Sequence, residues 1–184
     1  MWNNILYFFA GFLRAKAIKG PHGEPYLERH MLCRVGRHAV FLHRFLASDP
    51  DRGLHDHPWR RSISFILCGG YIEKRLVSKE GRVWMALRDV APGSFNVIRG
   101  DDFHQVVLRP GKPAWTIFYH GQRVKTWGFA VSEEGSATKA CEYITDGYDE
   151  VVEGVGAEAP WELHAPRARS LPGRMPADYY RGVR

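Results

Sequence analysis

Three histidines carry the clearest chemical signal in this sequence. His55 and His57 flank Asp56, and His104 follows after several strand-like segments. In a β-strand, residues i and i+2 point to the same face, so the first two rings would aim at one point if this segment is extended. A helical site would need its histidines about four residues apart. The pattern therefore predicts a strand-built metal site with His55, His57 and His104 as ligands.

A ligand set of three neutral imidazoles has definite chemical consequences. It would leave about three of six positions on a divalent metal open, as a catalytic site requires. The metal would keep its full positive charge, which favours an anionic or thiolate group from a substrate. Metal affinity should fall as pH drops through the ordinary histidine pKa of about 6.5. The competing interpretation is that these are ordinary polar residues of a strand that holds no metal.

The elements around the histidines are predicted to be short strands. From Tyr26 to about Ala130, apolar and polar residues alternate between turn signals such as Gly69-Gly70 and Gly100-Asp101. Turns spaced by roughly ten residues are typical of a β-sandwich or barrel, and no βαβ rhythm is visible. Residues 21–132 are therefore predicted to form one mainly β domain.

The two ends of the chain have a different character. Residues 1–20 are predicted to contain an amphipathic helix, because large apolar residues recur at helical spacing: Trp2, Ile5, Leu6, Phe9, Phe12 and Leu13. The helix is expected to dock on its own domain or on a second copy, with membrane-surface contact as the alternative. Residues 133–184 are predicted as a C-terminal extension, helical in part over 137–152, followed by an Arg/Pro-rich tail that wraps the surface or is solvated.

Composition narrows the class of protein. The chain has 184 residues, 45% hydrophobic and 13% aromatic, which suits one packed globular domain. Its three cysteines lack any paired spacing, which favours a reducing, cytoplasmic location. The apolar run near the start is too short to span a bilayer. The net charge of +6 is moderate and partly in the tail, so nucleic-acid binding is not favoured.

The histidine segment resembles the first motif of the cupin superfamily, in which an HxH pair precedes a glycine-ended strand. In this chain the strand ends at Gly69-Gly70, and the stretch from Arg99 to His104 is similar to the second cupin motif. The resemblance covers about residues 40–130 and implies a double-stranded β-helix, the cupin jelly roll. Where the typical cupin has a glutamate ligand, this chain has Arg61 or Ser62.

The three-histidine set is similar to the thiol dioxygenase branch of the cupins, and the phrase from Leu54 to Pro58 is especially similar to cysteamine and N-terminal-cysteine dioxygenases. This resemblance implies an Fe(II)-dependent dioxygenase that acts on a small anionic or thiol-bearing substrate. Zinc, nickel, manganese and copper are also compatible with the ligands. Two alternatives stay open: a cupin isomerase, epimerase or lyase that uses the metal as a Lewis acid, and a non-catalytic ligand-binding cupin.

Three further residues are candidates for catalytic roles. Tyr71 and Glu73 share a strand face and could reach the cavity as acid, base or hydrogen-bonding groups. The alternative for Glu73 is a solvent-facing position beside Lys74 or Arg75. His120 ends a strand that would line the cavity of a jelly roll, which makes it a candidate for contact with a ligand or substrate.

Binding partners are suggested by charge and by the apolar helix. Arg60, Arg61, Arg99 and Arg123 are candidate clamps for a carboxylate or phosphate, although most arginines of this kind are simply solvated. Cupin domains commonly pair through their sheets, and the N-terminal helix offers an additional surface. The sequence therefore predicts a homodimer that binds a small molecule.

Overall fold

The computed structural model describes residues 1–20, 23–49, 54–80, 82–131, 142–144 and 164–179. Within these ranges it contains an N-terminal helix α1 (Trp2–Ala10), twelve strands and a 3₁₀ helix (Ala168–Ser170). The strands are β1 (Ala15–Lys19), β2 (Pro25–Val35), β3 (His38–Phe45), β4 (Leu54–His55), β5 (Arg61–Cys68), β6 (Tyr71–Lys79), β7 (Arg82–Val90), β8 (Phe95–Arg99), β9 (His104–Leu108), β10 (Ala114–His120), β11 (Phe129–Val131) and β12 (Glu142–Ile144).

The strands form two six-stranded antiparallel sheets. Sheet I has the order β1-β2-β3-β10-β5-β8, and sheet II has the order β12-β11-β4-β9-β6-β7. From β3 to β6 the chain alternates between the sheets, and β9 and β10 return to the middle of each one. Two four-stranded units, β3-β10-β5-β8 and β4-β9-β6-β7, are thus wound together as a jelly roll. The predicted mainly β, cupin-type fold is confirmed.

The strand alternation predicted from the sequence sorts side chains between the inside and the outside of the sandwich. Along β5, Ser62, Ser64 and Ile66 are buried, while Arg61 is exposed. The turn from β5 to β6 depends on Gly69, whose φ is +83°. A Cβ there would lie 2.0 Å from the backbone oxygen of Pro113, so this position requires glycine.

The buried apolar residues form three clusters. One lies around Tyr71, Ile66 and Leu108, and a second lies around Phe41, Trp59 and Phe118. The third joins α1 to sheet I and consists of buried Ala10, Leu42 and Trp115, with Leu6, Tyr7, Leu13, Leu67 and Cys68 packed against it. The helix therefore covers the face of sheet I that points away from sheet II.

The N-terminal helix is shorter than the predicted range of 1–20. It ends at Ala10, and β1 begins at Ala15, where the backbone pairs with β2. Gly11 follows the last helical residue, and glycine is a poor helix former. The predicted apolar stripe is also only partly used: Leu6 and Leu13 pack on the core, whereas Trp2 and Phe9 are exposed.

The C-terminal extension contains a segment that packs on the domain. Residues 164–179 lie against α1 and sheet I, where the buried Arg44 binds their backbone. Its guanidinium pairs with Glu28 and donates to the carbonyl oxygens of Met175 (2.9 Å), Ala177 (3.1 Å) and Tyr179 (3.2 Å). This part of the predicted tail wraps the surface and is not simply solvated.

The predicted helical stretch 137–152 is described only in part. Glu142–Ile144 forms β12, an edge strand paired with β11, so this portion is extended and not helical. The remainder of that stretch lies outside the described residues. Within the described ranges, no helix has the length and apolar character needed to cross a membrane.

Candidate metal centre

Pairing between β4 and β9 brings the predicted metal ligands together. His55 lies opposite His104 in the antiparallel register, and His57 follows two residues after His55. One nitrogen from each ring lies within 4.8 Å of the nitrogens from the other two. His57 and His104 are buried, and His55 is half-buried. The grouping expected from the sequence is therefore present in the folded chain.

The ring nitrogens converge in an arrangement that suits a metal ion. The Nε2 atoms of His57 and His104 lie 2.8 Å apart. Nδ1 of His104 is 3.0 Å from Oε1 of Glu73, so His104 donates from Nδ1 and directs a lone pair from Nε2 towards His57. Nδ1 of His55 lies 3.6 Å from Oδ2 of Asp49. Three imidazoles, two of them with a carboxylate beside Nδ1, fit a divalent metal.

Glu73 is the centre of a buried hydrogen-bond network behind His104. Its Oε1 accepts from His104, from Asn96 Nδ2 (2.8 Å) and from Arg75 Nη2 (2.9 Å). Burial alone would raise the pKa of Glu73, but the hydrogen bonds from His104, Asn96 and Arg75 outweigh it and lower the pKa to about 2. The carboxylate is therefore ionised at neutral pH. The solvent-facing alternative for Glu73 is wrong, although its pairing with Arg75 is present.

Asp49 is the carboxylate beside His55, as Glu73 is beside His104. It is buried, and its Oδ2 accepts from the backbone N–H of Val106 at 2.5 Å. The hydroxyl of Tyr26 donates to its other oxygen. These bonds fix the carboxylate beside His55, where it can orient the ring. The sequence around Asp49 does not reveal this role, because its partner Val106 on β9 is distant in the chain.

Burial sets the protonation of the histidines. It lowers the pKa of His55 to about 4, against opposition from Asp49, and it lowers the pKa of His57 well below its ordinary value. Both rings are therefore neutral at pH 7, which is the form that binds metals. Protons would therefore compete with a metal for these two rings only at a pH below about 6.5, the pKa of unperturbed histidine.

Asp56, between the two histidines, positions one wall of the site. It is fully buried, and its Oδ1 accepts from the backbone N–H of Gly128 at 2.8 Å. Lys125 donates to its other oxygen. These bonds hold the segment that carries Trp127, whose ring centroid lies 5.7 Å from that of His55 and 5.2 Å from that of His57. Trp127 is expected from the sequence to belong to the core or cavity wall, whereas no local pattern indicates the contacts of Asp56.

The remaining walls are aromatic and basic. Trp59 and Phe118 lie beside His57, at ring-centroid distances of 5.6 and 6.0 Å. His43 stacks on Phe118 and accepts a hydrogen bond from Nε of Arg29 at 3.1 Å. Burial and the nearby Arg29 lower the pKa of His43 well below its usual value, so this ring is neutral. Apolar rings and the guanidinium group of Arg29 thus lie on this side of the site.

The predicted catalytic residues occupy different positions relative to the histidines. Tyr71 is buried, and its hydroxyl accepts from Asn96, which also donates to Glu73. Burial raises the pKa of Tyr71 to about 12, so the phenol stays protonated. His120 is buried and stacks on Trp59 with centroids 4.3 Å apart. These two residues are therefore connected to the site through Asn96 and Trp59, and their catalytic roles stay predictions.

The arginines proposed as clamps are not grouped around the histidines. Arg60, Arg61 and Arg99 line a separate pocket that also contains Tyr119. Arg123 forms an isolated bridge with Trp59 and donates to the carbonyl oxygen of Lys125.

Comparison with known proteins finds similarity to solved structures but not to curated sequences. No protein-family model matches the sequence, and no curated protein is similar to it. Among solved structures, hydroxypropylphosphonic acid epoxidase from S. wedmorenis has 15% identity and a TM-score of 0.41, with 58% of this chain and 55% of that chain covered. This chain thus spans just over half the length of that protein.

Two other solved structures are similar to comparable extents. A recombinant oxalate oxidase in complex with glycolate has 19% identity and a TM-score of 0.40, covering 50% of this chain and 46% of that chain. A protein from Thermus thermophilus has 18% identity and a TM-score of 0.42, covering 59% of this chain and 91% of that chain. The sheet topology of this chain is that of a jelly roll, and the clustered histidines form a candidate metal centre within it.

Proposed function

We propose that this protein is a metal-dependent cupin enzyme, an Fe(II)-dependent dioxygenase that uses His55, His57 and His104 as its metal ligands. The observation that carries the proposal is the convergence of three imidazoles within 4.8 Å inside the jelly roll. Bound there, the metal would supply positive charge and open positions for a substrate group and O2. The choice of iron and of O2 follows from the resemblance of the histidine pattern to the thiol dioxygenases.

The chain's own residues suit such a reaction in three ways. Glu73 accepts a hydrogen bond from His104 and Asp49 lies beside His55, so both carboxylates are placed to orient the rings. Trp59, Phe118 and Trp127 limit access of water to the metal side of the histidines. Imidazole ligands bring no negative charge to a metal, so an anionic or thiolate substrate group would meet uncompensated positive charge.

The direct experiment combines metal analysis with O2 consumption. Protein purified without oxygen should bind about one Fe(II) per chain and consume O2 with a small thiol such as cysteamine or a peptide with an N-terminal cysteine. His104→Ala should lose both properties. His164→Ala, at an exposed histidine away from the site, is the matched control and should retain them.

Other outcomes separate the remaining functions. Turnover of a sugar or keto acid without O2, supported by zinc or nickel, would replace the dioxygenase with a Lewis-acid isomerase, epimerase or lyase. Ligand binding that survives His104→Ala, without turnover, would indicate a binding module. A protein that holds no metal and gains no activity on addition of Fe(II) would contradict the proposal as a whole.

We also propose that the protein is a cytoplasmic homodimer. Cys33 and Cys68 are free thiols, as expected for a reducing compartment. The outer surface of α1 exposes Trp2, Phe8 and Phe9, with 64%, 61% and 63% of each residue accessible. An apolar surface of this kind on one helix supports association with a second copy.

A further inference from the structure

A basic pocket lies on the side of sheet I that faces away from the histidines. On β5, Ser62 and Ser64 are buried inside the sandwich, so Arg61 projects outward. Arg61, together with Arg60 and Arg99, lines a pocket of about 750 Å³. We call this the arginine pocket. Its volume is in the range of known small-molecule sites.

The strand register places two of these arginines directly opposite each other. Arg61 on β5 pairs with Arg99 on β8. Like charges at facing positions of an antiparallel pair are unfavourable, so this register has an electrostatic cost when the pocket is empty. In the parts of the chain that the structure describes, no carboxylate forms an ion pair with Arg60, Arg61 or Arg99. A bound anion would relieve the repulsion and accept hydrogen bonds from both guanidinium groups.

The pocket also has an aromatic side. Tyr119 on β10 projects outward, because its neighbours Phe118 and His120 are buried inside the sandwich. The hydroxyl of Tyr119 lies 2.8 Å from Nδ1 of His38, and the two rings are nearly parallel, at 12°. Both residues line the arginine pocket. This pair supplies ring surface and polar atoms beside the three positive charges.

We propose that the arginine pocket is a binding site for a phosphate-bearing small molecule, distinct from the metal centre. Three guanidinium groups match the oxygens of a phosphate group through bidentate hydrogen bonds. The His38–Tyr119 pair provides a surface for the rest of the molecule, such as a sugar or a base. Asp101 also lines the pocket, and its carboxylate opposes anion binding. The balance of three arginines against one aspartate remains positive.

The test uses calorimetric titration of the full chain with inorganic phosphate and with a nucleoside monophosphate. Both should bind saturably, and the monophosphate should bind more tightly if the His38–Tyr119 pair contacts the organic part. The corresponding uncharged nucleoside should not bind measurably. Equal affinity for phosphate and the monophosphate would identify a site for free phosphate.

Variants at exposed positions distinguish phosphate binding in the arginine pocket from nonspecific electrostatic attraction to the protein surface. Arg61→Gln and Arg99→Gln should each weaken phosphate binding by roughly tenfold or more, since each removes charge-assisted hydrogen bonds. Asp101→Asn should strengthen it. Arg82→Gln, at an exposed arginine on β7 of the other sheet, is the matched control and should leave affinity unchanged.

Thermal unfolding gives a second readout that does not depend on catalysis. Without ligand, Arg99→Gln should match or exceed the wild-type Tm, because the facing charges are removed. Added phosphate should raise the Tm of the wild type but not of Arg99→Gln. The proposal is overturned if phosphate produces no saturable signal, or if Arg82→Gln weakens binding as much as Arg99→Gln. Binding restricted to a single-stranded oligonucleotide would also overturn it and assign the surface to nucleic acid.

Discussion

Glu73 contacts a proposed metal ligand and can thereby affect the affinity of the site for the metal. The carboxylate is fully buried, yet hydrogen bonds from His104, Asn96 and Arg75 keep it ionised. Its negative charge fixes His104 as the tautomer protonated on Nδ1 and raises the basicity of Nε2. The cupin motif places a glutamate ligand where this chain has Arg61 or Ser62, whereas Glu73 on β6 lies behind the proposed ligand His104.

This arrangement predicts the effect of Glu73→Gln. The substitution keeps the shape of the side chain but removes the charge, so His104 should become a weaker ligand. We expect metal affinity to fall by roughly 10- to 100-fold, measured by competition with a chelator at constant pH. Glu80→Gln, whose side chain is 83% exposed on the same hairpin, is the control. An unchanged affinity in folded Glu73→Gln would contradict a supporting role for Glu73.

At the scale of elements, the HxH segment combines two tasks. Alternation directs His55 and His57 to one side and Asp56 to the other, where it holds the backbone of Gly128. The segment that carries Trp127 is thereby attached to the segment that carries the proposed ligands His55 and His57. Loss of the Asp56 contacts would leave the buried backbone N–H of Gly128 without its acceptor. The position of Trp127 therefore depends on the same segment that carries His55 and His57.

Helix α1 predicts a test of association. Phe8→Ser combined with Phe9→Ser removes exposed aromatic surface, and neither residue belongs to the cluster of Ala10, Leu42 and Trp115. The variant should therefore stay folded and change from dimer to monomer, as measured by multi-angle light scattering. Val35→Ser, at a more exposed apolar residue of β2, is the control and should stay dimeric.

A monomeric wild-type protein would contradict dimerisation through α1. If that monomer bound to vesicles containing anionic lipid, and the double variant did not, the helix face would instead be a membrane-contact surface. Arg169 lies close to the end of the helix, with 5.4 Å between its Cζ and the centroid of the Phe12 ring. A basic group beside an apolar helix face is the arrangement that anionic lipid would favour.

Local sequence patterns were sufficient for the strands and for the three histidines, because alternation and i, i+2 spacing depend only on nearby residues. They were not sufficient for Asp49, which acts through a backbone bond to Val106 on a distant strand. The pairing of β1 with β2 after the end of α1 was also missed. Such contacts depend on which strands become neighbours, and a single segment does not contain that information.

At the scale of the whole molecule, Arg44 links the C-terminal segment to the sandwich. Its guanidinium is fully buried between Glu28 and the carbonyl oxygens of the C-terminal segment 164–179. The backbone N–H of Met175 donates to Glu28 at 3.0 Å, which completes the network. Because a buried charge is tolerated only when it is paired and hydrogen-bonded, the segment and Arg44 depend on each other.

His30 lies in the same region and makes global stability depend on pH. It is fully buried, stacks on Trp115, and its Nδ1 donates to the carbonyl oxygen of Leu42 at 3.1 Å. Burial lowers the pKa of His30 to about 4, with further lowering by Arg174 and Arg44 and partial opposition from the bond to Leu42. The folded protein therefore keeps this ring neutral where an unfolded chain would protonate it.

The sign of the effect follows from proton binding. Between pH 6.5 and about 4 the unfolded chain binds a proton at His30 that the folded chain does not, so the free energy of unfolding falls as pH falls through this range. At pH 5 the contribution is about 2 kcal/mol. The free energy of unfolding in urea should fall between pH 7.5 and pH 5 in the wild type. In His30→Gln this fall should be smaller by about 2 kcal/mol. His164→Gln, at an exposed histidine, should behave as the wild type, and an identical loss in His30→Gln would show that His30 is not held neutral by the fold.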